Sequence, residues 1–256
     1  MAKKLVVVGL GYVGLPLALR ARSKGLEVVG FDVDAEKVKK LTSGIAPFED
    51  TYVTEELAKA SLAATVKPEI VGDADVIVVA VPTPVTHENM PDLTPLTSSI
   101  ESILPYLRNN QLLSIESTIN PGVMLEVVVP ILEKRPELNR HIVHCPERVN
   151  PGDEKWSVRN IPRVIGGTTK EATRLGKEFY ESILDAPVKA MGSVTEAEAV
   201  KILENTFRDI NIAFVNEMAK SFDALGIDVK NVIEGAATKP FAFMPHYPGN
   251  GVGGHC

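Results

Sequence analysis

The apolar run Leu5–Val8 passes without a break into Gly9-Leu10-Gly11-Tyr12-Val13-Gly14, and few segments restrict a fold as tightly. Gly14–Ser23 follows with helical spacing and stops at Gly25. Glu27–Phe31 is a second apolar run, and it closes on Asp32, 18 residues after Gly14. Strand, glycine turn, helix, strand and acidic residue, in that order, make the smallest βαβ unit that holds a dinucleotide. The first two glycines allow a tight turn and the close approach of a pyrophosphate. The start of the helix supplies N–H groups and partial positive charge. A purely structural glycine turn is the plain alternative.

The same pattern continues along the chain. Val76–Val81 is a continuous apolar run, as expected of a parallel strand covered on both faces, and it ends in the loop Pro82-Thr83-Pro84. Leu112–Ile115 ends in Glu116-Ser117-Thr118. Asn120-Pro121-Gly122 then opens a helix, with Asn120 as N-cap and Pro121 at the first helical position. His141–Cys145, Arg163–Ile165 and Val188–Met191 read as further strands, with a helix over Thr169–Leu184. Strands alternating with helices predict an α/β doubly wound parallel sheet.

After Gly192 the character changes. Thr195–Leu225 contains neither Gly nor Pro, and Gly226 is a natural stop. A helix of about 30 residues is about 45 Å long, more than a crossover requires. Two domains are therefore expected: residues 1–192, binding the dinucleotide, and residues 193–256, mainly helical. Leu203, Phe207, Ile210 and Phe214 form one apolar stripe, which predicts a homodimer contact along 195–225. A shorter helical stretch follows Asn231, and then the loop Lys239–Cys256.

Composition narrows the partners. The chain is 45% hydrophobic and 23% charged, the balance of an ordinary globular protein, and its net charge of −6 argues against nucleic acid as the main partner. Two cysteines far apart make no disulfide framework, which favours a reducing compartment. Met1-Ala-Lys-Lys before Leu5–Leu19 superficially resembles a signal peptide. That run holds three glycines and Pro16, shows no clear cleavage site, and is short of the roughly 20 apolar residues that span a bilayer. A cytoplasmic protein with no membrane partner is expected.

Asp32 would accept hydrogen bonds from the adenosine ribose hydroxyls and repel a 2′-phosphate, which favours NAD over NADP. Lys37 would undercut that preference, although a lysine on an early helix turn is usually solvated. Lys201, Asn205 and Arg208 lie at i, i+4 and i+7 on one face of the long helix. Lys201 and Asn205 would donate to negative charge developing on a reacting oxygen. Glu198 and Glu204 lie on the same side, and a merely solvated face is the alternative. Cys256 follows glycines at 249, 251, 253 and 254, a backbone that can approach a ligand closely. It reads either as a thiol presented for chemistry or as a small buried hydrophobe. Cys145 reads as core. Glu147 and Arg148 fall at the sheet's carboxyl edge, where ligands of open α/β sheets bind. His246 and His255 have no spacing that suggests a metal site, and no metal is expected. A nicotinamide cofactor and a thiol together suggest oxidation through a thioester.

The segments VVGLGYVGLPLA, FDVD, VPTP with the following PDL, ESTINPG, CPERVNPGD, EAEAVKILENTFRDINIAFVNE and TKPFAFMPHYPGNGVGGHC together resemble the UDP-glucose/GDP-mannose dehydrogenase family. The resemblance to these NAD-dependent nucleotide-sugar 6-dehydrogenases covers essentially the whole chain. It implies a Rossmann-like doubly wound parallel sheet followed by a mainly helical domain on the long helix. CPERV-PG and GGHC look more like the branch acting on UDP-N-acetylhexosamines than the UDP-glucose branch. The KPF-FMP-YPG stretch looks most like UDP-N-acetylglucosamine dehydrogenases. The histidine and arginine expected near Pro240 and Ala242 in UDP-N-acetylmannosamine relatives are absent.

The reaction so implied is a pair of hydride transfers from C6 of the sugar, using two NAD in turn. Cys256 would capture the aldehyde as a thiohemiacetal, which is oxidised to a thioester and hydrolysed. Lys201 and Asn205 would bracket the C6 oxygen, and Thr118 and Glu147 would order and activate the water. The resemblance puts the substrate among Glu147, Arg148, Val149, Lys201, Asn205, Arg208, Tyr247 and Gly253. It puts NAD among Gly9, Gly11, Tyr12, Val13, Gly14, Asp32, Lys37, Pro82, Thr83, Ser117 and Thr118. Full-length relatives continue past the cysteine with an aspartate near the active site and a third, UDP-binding domain. The 256-residue chain alone is therefore expected to bind NAD with little or no turnover. A β-hydroxyacid dehydrogenase, which also joins such a fold to a long helix bearing Lys-x-x-x-Asn, is an alternative, but it needs neither ESTINPG nor a glycine-presented cysteine. A non-enzymatic NAD-binding dimer is another.

Overall fold

The computed structural model describes residues 4–149 and 155–251, in two compact units, Met1–Lys201 and Ile202–Cys256. The first unit is built on an eight-stranded sheet. Its strands are β1 (Lys4–Val8), β2 (Glu27–Phe31), β3 (Ala63–Thr65), β4 (Val76–Val79), β5 (Leu112–Ile115), β6 (His141–His144), β7 (Arg163–Gly167) and β8 (Val188–Ala190). They lie in the order β3-β2-β1-β4-β5-β6-β7-β8. Neighbours are parallel except β6 and β7, which run antiparallel. Hydrophobic periodicity carries no strand direction, so this reversal could not be read from the sequence.

The continuous apolar runs are explained by two cores. Leu5, Val7, Val76 and Val78 pack on one face of the sheet, while Val6, Val8, Ile77 and Val79 pack on the other. Alternating side chains thus all meet apolar neighbours. The first face is covered by α1 (Gly14–Ser23) and α6 (Lys170–Ile183), the second by α4 (Thr94–Ile103) and the short α5 (Val129–Leu132), entered through a π turn at Met124–Val128. Here α2 (Ala35–Thr42) and α3 (Thr51–Lys59) join β2 to β3. Asp34, Asp50 and Thr169 cap α2, α3 and α6 through their side chains, each contributing about 1 kcal/mol.

The expected Asn120 cap is not formed. The segment enters its helix at Val123 with no side-chain cap of its own. Its orphan N–H groups are met from elsewhere: Glu198 accepts from Gly122 N and Met124 N, both at 2.8 Å. Glu198 belongs to α7 (Val194–Asp223) and is fully buried, so it is not part of a solvated face.

The division between the units falls inside α7. In the second unit, α8 (Val229–Ala237) starts at Asp228, whose carboxylate accepts from Lys230 N. The loop beyond it meets α7 at Phe207, whose ring lies edge-on to that of His246 with centroids 5.7 Å apart, and at Asn216. Asn216 donates to Gly249 O and accepts from Gly249 N, both at 3.0 Å. Leu203, Phe207, Ile210 and Phe214 are between 45% and 71% exposed. Among the described residues, no helix is long and apolar enough to cross a membrane.

Candidate functional site

The strand order places β1 beside β4 and sends the chain outward in both directions, so a crevice opens at the carboxyl ends of these two strands. The glycine turn leaves β1 there. Gly9 has φ +90°, and a Cβ on it would lie 2.7 Å from Ala80 O. A Cβ on Gly14 would meet Gly9 O at 1.9 Å, so only glycine lets α1 start this close to the strand. Around Gly11 there is open space. The start of α1 has neither a side-chain cap nor an acidic residue in its first turn. Uncapped N–H groups beside bare backbone fit a pyrophosphate.

Asp32 is buried at the end of β2. Its Oδ2 accepts from Leu10 N at 2.8 Å, and its Oδ1 accepts from Asp34 N at 3.0 Å. Lys37 is not simply solvated: its Nζ donates to Asp32 Oδ2 at 2.9 Å. Tyr12 extends from the turn and packs on Phe48, with ring centroids 4.1 Å apart.

Two hydrogen bonds draw the loops after β4 and β5 together. Thr83 Oγ1 donates to Thr118 O at 2.6 Å, and Ser117 Oγ donates to Val81 O at 2.7 Å. Pro82, Thr83, Ser117 and Thr118, 35 residues apart across the Thr83–Thr118 bond, thereby form one wall of the crevice.

The adjoining wall is a buried polar cluster that sequence reasoning only half saw. Glu147 Oε1 accepts from Arg148 N and Val149 N at 2.6 and 2.8 Å, which curls the loop after β6 around its own carboxylate. Its Oε2 accepts from Arg163 Nη2. Arg163 Nη1 reaches Glu116 Oε2 at 3.4 Å, and Tyr180 Oη donates to Glu116 Oε1 at 2.6 Å. Burial pushes the Glu116 carboxyl up to about 7, against the opposing pull of Arg163. Burial opposes the charge on Arg163, yet Glu147 and Glu116 outweigh it and push its pKa up. Cys145 is wholly buried, as a core residue, and burial raises its thiol far above the usual range. Arg163, Tyr180 and Glu116 were missed because an arginine opening a strand and a tyrosine on a helix carry no local signature. The only available signal was an acidic residue ending an apolar run.

Further along, α7 carries Lys201, Asn205 and Arg208, all half-buried. Tyr247 is exposed in the loop after α8. Gly253 and Cys256 lie outside the described residues. Among the described residues, no group of His, Cys, Asp and Glu is arranged to hold a metal ion.

Comparison with known proteins agrees with this geometry. Residues 3–184 match the NAD-binding domain of the UDP-glucose/GDP-mannose dehydrogenase family, and residues 195–256 match its central domain. The chain is 40% identical to the UDP-N-acetyl-D-glucosamine 6-dehydrogenase of Pseudomonas aeruginosa, over 99% of this chain and 60% of that protein. It is 38% identical to the UDP-N-acetyl-D-mannosamine dehydrogenase of Methanocaldococcus jannaschii, over 100% of this chain and 60% of that protein. The solved structure of the UDP-D-ManNAc dehydrogenase of Pyrococcus horikoshii superposes with a TM-score of 0.90 at 36% identity, covering 99% of this chain and 62% of that one. The chain spans about 60% of the length of the curated relatives it matches.

Proposed function

The chain belongs to the UDP-glucose/GDP-mannose dehydrogenase family, and we propose that it forms the NAD-binding and central part of a UDP-N-acetylhexosamine 6-dehydrogenase. The observation that carries this reading is the crevice at the β1–β4 switch, where the open glycine turn stands beside the Thr83–Thr118 clasp. NAD would supply the acceptor for hydride leaving the sugar's C6, two molecules in turn. Gly9, Gly11, Tyr12, Val13 and Gly14 would hold its pyrophosphate, Asp32 and Lys37 its adenosine ribose, and Pro82, Thr83, Ser117 and Thr118 would line the far side of the crevice.

Lys201 and Asn205 bracket the C6 oxygen, and Lys201 takes the hydroxyl proton as the first hydride leaves. The Cys256 thiolate then adds to the aldehyde carbon and Lys201 returns its proton to the oxygen, giving a thiohemiacetal. Lys201 takes the hydroxyl proton again as the second hydride leaves to a second NAD, giving the thioester, and water then releases the uronic acid and the thiol. Thr118 and Glu147 order and activate that water. Arg148, Val149, Arg208, Tyr247 and Gly253 hold the nucleotide sugar. The exposed stripe on α7 is buried in a homodimer, and the protein works in the cytoplasm.

The absence of a histidine and an arginine near Pro240 and Ala242 favours the N-acetylglucosamine substrate. The reading is tested by comparing kcat/KM for UDP-N-acetylglucosamine, UDP-N-acetylmannosamine and UDP-glucose, using the polypeptide that contains this chain and following NADH. Preference for UDP-glucose would move the protein to that branch. Oxidation of a 3-hydroxy acid in place of all three would favour the β-hydroxyacid dehydrogenases.

A further inference from the structure

Arg163 stands between two buried carboxylates. Its Nη2 donates to Glu147 Oε2, and its Nη1 lies 3.4 Å from Glu116 Oε2. Arg163 and Glu116 are each 1% exposed and Glu147 is 8% exposed. Among the described residues, Arg163 is the one cation paired with either carboxylate, so the three groups together carry a surplus negative charge where water solvates it poorly. A single proton on one carboxyl removes the surplus, and the two carboxyls are not equivalent hosts. Glu147 accepts three hydrogen bonds, from two backbone N–H groups on one oxygen and from the near arm of Arg163 on the other. Glu116 has the longer Arg163 contact and, on its other oxygen, the neutral phenol of Tyr180, with Ser114 Oγ 2.8 Å behind it.

We propose that Arg163 is a positioning residue for Glu147, and that Glu116 carries the buried proton that leaves Arg163 to Glu147 alone. This rests on the water-activating role proposed above for Glu147. Among the described residues, the titratable or charged groups facing Glu116 are Arg163 from β7, Glu147 after β6, Cys145 at the end of β6 and Tyr180 from α6. Cys145 and Tyr180 are both pushed up by burial and stay neutral near neutrality, so Glu116 is the carboxyl free to release the proton. Burial brings that release to about 7. Above it, Arg163 is shared between two anions and Glu147 is held less firmly.

The proposal is tested by glutamate-selective ¹³C-carboxyl NMR of the NAD-saturated protein, titrated from mildly acidic to mildly alkaline pH. One carboxyl is expected to titrate near 7 and to vanish in Glu116→Gln. A second, identified by its loss in Glu147→Gln, is expected to shift with the same midpoint and to stop doing so in Glu116→Gln. Arg163→Lys keeps the charge but loses the fork. It should lower kcat about tenfold or more with KM for the UDP-sugar nearly unchanged. A titration near neutrality that survives Glu116→Gln, the absence of any such titration, or full kcat in Arg163→Lys would overturn the proposal. If Glu147→Gln forms uronic acid undiminished, the reading of Glu147 as water activator falls instead.

Discussion

Asp32 Oδ2 accepts the Leu10 N–H at 2.8 Å, so the carboxylate that ends β2 also fastens the glycine turn. The same oxygen meets Lys37 Nζ at 2.9 Å. The residue proposed to choose between NAD and NADP is thus also a structural tie. Asp32→Ala should weaken NAD binding and narrow its advantage over NADP. Asp32→Asn keeps an acceptor for Leu10 and should narrow the gap with a smaller loss of NAD affinity. Titration of both cofactors checks this, and equal affinities in the unaltered protein would remove Asp32 from the role.

Glu198 holds the Gly122 and Met124 N–H groups from α7. Glu198→Ala strands two donors at a buried helix entrance and should destabilise the first unit by about 2 kcal/mol or more. Glu198→Gln, which retains one acceptor oxygen, should cost less. Urea denaturation of the two variants would show the order, and an undisturbed Glu198→Ala would mean that water replaces the carboxylate.

Stability against pH should carry two opposed contributions. Burial raises Glu116 from 4.5 to about 7, so over that window the folded chain keeps a proton the unfolded chain has released, and this contribution falls as pH rises. Burial lowers His144 from 6.5 to about 4, so over that window the unfolded chain binds the extra proton, and this contribution grows as pH rises. They largely offset each other. Glu116→Gln removes the first, and its stability relative to the parent should climb between pH 4.5 and 7 by on the order of 1–3 kcal/mol. A difference that does not change with pH would contradict the assignment.

What was legible in the sequence was whatever the chain writes locally. The unit β1, glycine turn, α1 and β2 was readable from Leu5 to Asp32 because each signal adjoins the next. α1 runs Gly14–Ser23 as expected. Contacts that cross the chain were not legible. Glu198 caps a turn 76 residues away, and Arg163 meets Glu116 across 47, while β3 is too short to show any period. α2 and α3 did carry signals, Asp34 and Asp50 as N-caps before amphipathic runs, which a search for long apolar strands passes over.

Leu203, Phe207, Ile210 and Phe214 are exposed on α7, and the proposed homodimer covers them. Sedimentation at micromolar concentration should show a dimer or larger, and Phe207→Asp with Phe214→Asp should shift it toward monomer. A parent protein that is cleanly monomeric would mean that the stripe is covered within one polypeptide.

The most direct test of the account is the yield of NADH per uronic acid formed from UDP-N-acetylglucosamine by the polypeptide containing this chain, beside its Cys256→Ser variant. The thioester route predicts two NADH for each uronic acid in the parent. It predicts that the serine variant stops before releasing acid, because a hydroxyl is a far poorer acyl carrier than a thiolate at neutral pH. One NADH per sugar with free aldehyde as product, or undiminished uronic acid from Cys256→Ser, would contradict it.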